Sequence, residues 1–176
     1  MRRIEPEEAK RVLLSWREAG FHVDSRLMQE IGKQGQLYVL RLEDQESYLS
    51  LIWQESDPAR LLTPPGRPRT LRDVGKRFLE CGHSFESLSR DLGHPRTQHH
   101  PEWFAKCLPI DADFNYSKFG WVAIVSPNDS ERNQSPAGSF YLFDGMHKTL
   151  VLTKHLLKGE ITYQPIGALF LVPRRG

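Results

Sequence analysis

Phe140-Tyr141-Leu142-Phe143-Asp144-Gly145-Met146-His147-Lys148-Thr149 is the stretch whose reading decides the fold. Phe140 to Phe143 is an apolar run of strand length, and Asp144-Gly145 ends it with a turn pair. Met146 to Lys158 then carries Leu150, Val151, Leu156 and Leu157 at helical spacing, with Gly159 placed as a C-terminal cap. Gly167 to Val172 is a second apolar run. Just upstream, Gly120 to Val125 reads as a buried strand, and the polar stretch 126–138 as an exposed loop. Short connections make the strand, helix and strand one unit that returns to the same sheet.

Working outward, Glu5-Pro6-Glu7-Glu8 has the acidic residues and first-turn proline that favour a helix start. Val12, Leu13, Trp16 and Ala19 continue it at helical spacing to Gly20, and Asp24 or Ser25 caps a second helix through Leu27, Met28 and Ile31. Leu37–Leu42 and Tyr48–Trp53, joined by a turn over residues 43–46, read as a β-hairpin. Pro58 to Pro68 holds four prolines and a glycine and reads as a linker. Thr70 caps a helix through Leu71, Val74, Phe78 and Leu79, Ser84 or Ser87 starts a short one, and Pro101 opens another. The expected fold class is α+β. Residues 1–57 form helices and a hairpin, 58–69 a linker loop, and 70–176 the core.

The composition fits one ordinary globular unit. Among 176 residues, Lys+Arg 24 against Asp+Glu 22 leaves a net charge of +2, with 39% hydrophobic and 10% aromatic residues. That excludes a disordered chain and a wholly basic nucleic-acid binder. Cys81 and Cys107 lack CxxC spacing and set no disulfide framework. No apolar run exceeds strand length and no signal segment follows Met1, so the expectation is a soluble, cytoplasmic protein without membrane contact.

The Asp-Gly-x-His-Lys junction is where chemistry is expected. A strand emptying into a helix N-terminus presents unpaired N–H groups and the positive end of the helix dipole. Gly145 lets a ligand approach the backbone, and His147 and Lys148 add a donor and a charge. Asp144 is placed to accept a hydroxyl proton or to hold a metal bridging phosphates. The same pattern also reads as a plain turn, with Asp144 capping the helix.

Strand, Asp-Gly-x-His-basic, apolar helix and strand together resemble the ParB/sulfiredoxin superfamily, over roughly Lys118 to Val172. The resemblance implies a mixed sheet with flanking helices and a junction that binds nucleotide phosphates. The superfamily includes sulfiredoxins, CTP-binding chromosome-partition proteins and stand-alone kinases that phosphorylate free serine. Carried onto this chain, Asp144, Gly145, His147 and Lys148 become the phosphate-site residues. Met146 stands where sulfiredoxins have their catalytic cysteine, and a thioether cannot act as that nucleophile. Lys148 replaces the usual arginine and loses its bidentate fork.

The function so implied is a nucleotide-dependent phosphotransferase acting on a small hydroxylated metabolite. Asp144 and His147 would be catalytic, and Gly145, Lys148, Thr149 and Arg96 would hold the nucleotide. ATP, ADP or CTP would bind with Mg²⁺ on Asp144. The alternative is a non-catalytic nucleotide-binding regulator, or a DNA-associated member. Four weaker features stay open. His94, His99 and His100 read as a solvated loop or a metal group. Arg60, Arg67, Arg69, Arg72, Lys76 and Arg77 read as a solvated face or a phosphate contact. Asp111, Asp113 and Glu102 read as a general base or metal-bound carboxylate, or as surface and capping residues, and His155 has no assigned role.

Overall fold

A computed structural model of the chain describes residues 2–18, 36–53, 58–63, 69–90, 100–126 and 140–172. The first half contains β1 (Arg2–Ile4), α1 (Pro6–Glu18), β2 (Gln36–Leu42), α2 (Gln45–Leu49), β3 (Ile52–Trp53) and a 3₁₀ turn, Pro58–Leu62. Five helices and two strands follow in the middle: α3 (Leu71–Glu80), α4 (Phe85–Ser89), α5 (Pro101–Ala105), α6 (Cys107–Ala112), α7 (Tyr116–Phe119), β4 (Val122–Val125) and β5 (Tyr141–Asp144). Helix α8 (Met146–Lys158) and strand β6 (Ile166–Val172) complete the described part.

The apolar run 166–172 takes the position its composition suits. β6 lies inside a six-stranded mixed sheet of order β1-β2-β6-β4-β5-β3. It pairs with β2 antiparallel from Leu42↔Ile166 to Gln36↔Val172, and with β4 parallel from Val122↔Ala168 to Val125↔Leu171. Strand β5 returns antiparallel to β4, so β5-α8-β6 does close on one sheet, with β4 between its two strands. The chain is α+β.

Alternation along the strands divides the core in two. Leu37, Leu169, Leu171 and Ala123 pack with Ile4 and with Ala9 and Leu13 of α1. On the opposite face Leu42, Ala168, Phe170, Val122, Ile124 and Leu142 pack with Leu150, Val151, Leu152 and Leu156 of α8. Helix α3 lies against α8, opened by a capping box in which Thr70 and Asp73 satisfy each other's backbone N–H groups. Ser84, not Ser87, is the cap of α4.

The hairpin expected over 37–53 does not form. Asp44 accepts a hydrogen bond from the Ser47 N–H at 2.8 Å and starts α2, which buries Tyr48 and Leu49. Local capping thus turns a strand-like sequence into a helix, and β3 goes to the far edge of the sheet, parallel to β5. The N-terminal strands therefore flank the C-terminal ones on both sides. In the stretch read as a linker, Pro58–Leu62 is a 3₁₀ turn with Ala59 and Leu62 buried in the main core. The second helix expected near 24–31 and, apart from Ser126, the loop expected over 126–138 lie outside the described residues. Among the described residues no helix is long and apolar enough to cross a membrane.

Gly75 lies where α3 packs closely on α8. A Cβ there would lie 2.5 Å from Thr153 Cγ2 and 2.8 Å from Leu157 Cδ1. Gly75→Ala gains roughly 1 kcal/mol of helix propensity but meets a buried β-branched side chain. We expect a net loss of about 1–2 kcal/mol, read as a lower urea midpoint with an unchanged slope.

Candidate functional site at the strand-to-helix junction

The site begins where β5 runs out. Asp144 Oδ1 accepts from the Gly145 N–H at 2.6 Å, and Gly145 turns with φ +93° into α8. The Thr149 N–H donates to the Gly145 carbonyl at 3.0 Å and closes the first helical turn. Glycine is required here twice over. The backbone is left-handed, and a Cβ would lie 2.9 Å from Lys148 Cε and 3.3 Å from Val122 Cγ1. The space opened by Gly145 is thus occupied by the Lys148 stem.

Lys148 does not extend outward from the helix end. Its Nζ donates to the Phe119 carbonyl at 2.7 Å and the Trp121 carbonyl at 2.5 Å, and lies 5.2 Å from the centre of the Phe119 ring. Those carbonyls flank Gly120, itself left-handed at φ +65°. One side chain therefore ties the first turn of α8 to the entry of β4. Burial pushes the Lys148 ammonium down to about 8, against the raising effect of the Asp144 carboxylate.

The other junction residues separate into two kinds. His147 is half-buried, with its ring 4.4 Å from that of Trp103 at 34°, and its carbonyl accepts from the Cys107 thiol at 3.9 Å. Helices α5 and α6 thus brace this turn. Asp144 is also half-buried. Thr149, expected among the phosphate residues, is instead a core residue. It is fully buried, and its carbonyl accepts from the Tyr48 hydroxyl at 2.9 Å, because position 149 falls on the sheet-facing side of α8. Arg96, His94 and His99 lie outside the described residues, and His100 precedes α5 without capping it through its side chain.

The basic stretch is not one surface. Arg60 is buried and donates to the Trp53 carbonyl at 3.0 Å, and Arg69 donates to the Arg60 carbonyl. Arg72 pairs with Glu46 at 2.5 Å and Arg77 with Glu80 at 3.9 Å. Arg67 lies outside the described residues. Among the candidate bases, Asp113 pairs with Lys118, and Glu102 is exposed. Asp111 takes Lys154 Nζ at 2.5 and 2.7 Å and lies 3.0 Å from His155 Nε2, while His155 Nδ1 is 2.6 Å from Glu160 Oε2. His155, passed over in the sequence, thus helps hold α6 to α8. Among the described residues no group of three His, Cys, Asp or Glu side chains is arranged to hold a metal ion.

No protein-family model, curated protein or solved structure matches the chain.

The buried lysine makes stability pH-dependent in a defined direction. Its value in the folded chain, about 8, lies below the ordinary 10.5, so between these pH values the unfolded chain holds the extra proton. Stability from this group therefore rises as pH increases through that window. From pH 7.5 to 9.5 the wild type should gain about 1–2 kcal/mol over Lys148→Met, measured as paired urea midpoints.

Proposed function

We propose that the junction binds the phosphates of a nucleotide, and that the chain is a phosphotransferase with a ParB/sulfiredoxin-like arrangement acting on a small hydroxylated metabolite. The observation that carries this reading is the left-handed Gly145 launching a 13-residue helix directly from the carboxylate-bearing end of β5. That places N–H groups and the helix dipole beside one acid, one imidazole and one cation. In the proposed reaction the acceptor hydroxyl oxygen attacks the terminal phosphorus. The bond from that phosphorus to its bridging oxygen breaks, the nucleotide shortened by one phosphate leaves (a nucleoside diphosphate from ATP or CTP, the monophosphate from ADP), and Asp144 takes the hydroxyl proton. His147 donates to the transferring group, held in place by Trp103.

Asp144 fits a shared role toward Mg²⁺. One oxygen is engaged by the Gly145 N–H, and a magnesium ion held largely by phosphates and water needs only one or two carboxylates. The ion would supply charge neutralisation at the phosphates. Thr149 drops out of this constellation because it is buried, while Lys148 contributes its charge from behind the helix end. The non-catalytic reading is favoured by that same feature: an ammonium committed to two carbonyls is poorly placed to follow a transferring group. Among the described residues, Arg60, Arg69, Arg72 and Arg77 already have partners within the chain, which weighs against the DNA-associated reading.

Calorimetric titration with Mg²⁺ and ATP, ADP or CTP tests the site. We expect saturable binding, weakened at least tenfold in Asp144→Asn and His147→Ala. Formation of nucleoside diphosphate and phosphorylated acceptor from ATP or CTP with a panel of hydroxylated metabolites, abolished in both variants, supports the transferase; binding without turnover points to the regulator. Absence of binding to all three nucleotides overturns the proposal.

A further inference from the structure

A second feature lies at the same end of the sheet. The start of β1, the end of β2, the starts of β6 and β4 and the end of β5 all meet there, as the pairs Arg2↔Val39, Arg41↔Gly167, Val122↔Ala168 and Ala123↔Asp144 require. Between them opens a cavity of about 840 Å³, walled by Arg2, Arg41, Tyr116, Phe119, Trp121 and Pro165 among others. Asp144 pairs with the residue two positions beyond Trp121, so their backbones lie about 8 Å apart on ordinary strand spacing. The cavity is thus beside the junction and separate from it.

We propose that this cavity binds a small monocarboxylate with a planar or apolar body. The charge count selects the anion. Arg2 is already neutralised by Glu8 at 2.6 Å, whereas the exposed Arg41 side chain forms no ion pair or hydrogen bond among the described residues. One unopposed guanidinium suits a single negative charge, and its planar fork matches a carboxylate in two parallel hydrogen bonds. The walls select the body. The Trp121 indole lies flat on β6 because Gly167 has no side chain: a Cβ at 167 would be 2.6 Å from two ring carbons. With Phe119 and Pro165 the indole gives an apolar surface next to the cation. The Trp121 backbone is held by Lys148, so the wall is pinned in place. This site does not depend on the nucleotide reading.

Benzoate is the probe, titrated into the ¹⁵N-labelled 176-residue chain and followed by amide shifts. The expected result is saturable millimolar or tighter binding, with shifts centred on Gly120, Trp121, Arg41 and Gly167. Neutral benzamide and inorganic phosphate should each bind at least tenfold more weakly. Arg41→Gln should weaken benzoate at least tenfold. Arg41→Lys, which keeps the charge but not the fork, should fall between that variant and the wild type. Shifts scattered elsewhere, benzamide or phosphate equal to benzoate, or either variant binding like the wild type would overturn the assignment. An intact amide spectrum outside the cavity shows that the variants are folded.

Discussion

The ammonium of Lys148, lodged between the carbonyls of Phe119 and Trp121, is the contact on which the geometry of this end of the sheet depends. It joins two segments that are distant in the chain: the first turn of α8, and the left-handed turn at Gly120 that leads into β4. Gly145 is glycine because its backbone is left-handed at φ +93°, and a Cβ there would also crowd Lys148 Cε at 2.9 Å. Trp121, held by its carbonyl, lays its indole over Gly167, which must also lack a side chain. The same cation thus contacts the Gly145 turn and fixes the backbone of the residue whose indole covers Gly167.

Holding a lysine in this place opposes stability while charged, since burial strips its water away. The two carbonyls and the Phe119 ring offset part of that cost, and Asp144 offsets more. A deprotonated amine still has two N–H groups for the two carbonyls, so the clamp survives titration. The result is a cation near its own titration point, set against the N-terminal turn of a helix braced by Trp103 and Cys107. That combination favours the arrival of an anion, which is the basis of the phosphate proposal.

The β5-α8-β6 unit was legible in the sequence because its signals are local: an apolar run, a turn pair, helical spacing and a glycine cap. The hairpin was misread for the same reason in reverse. Tyr48 and Leu49 look like strand residues, and the deciding signal is the small Asp44–Ser47 cap. Lys148 illustrates what no local pattern contains. Its partners lie 29 and 27 residues earlier, so its inward direction depends on tertiary packing. Arg60 is similar, since a charge in a proline-rich stretch suggests solvent, whereas the 3₁₀ turn buries it against the Trp53 carbonyl. Of the residues read as a phosphate site, Asp144, Gly145 and His147 are half-buried at the junction, Lys148 turns inward and Thr149 is buried. Burial of Thr149 could have been suspected from the helical phase it shares with Leu152 and Leu156.

The most direct test of the account is the titration of the Lys148 side chain itself, followed by its own ¹⁵Nζ resonance in the presence and absence of Mg²⁺ and nucleotide. The account predicts a midpoint near 8 in the ligand-free protein, moving upward when phosphates bind beside the helix end. A midpoint at the ordinary 10.5, or one that nucleotide leaves unmoved, would contradict it.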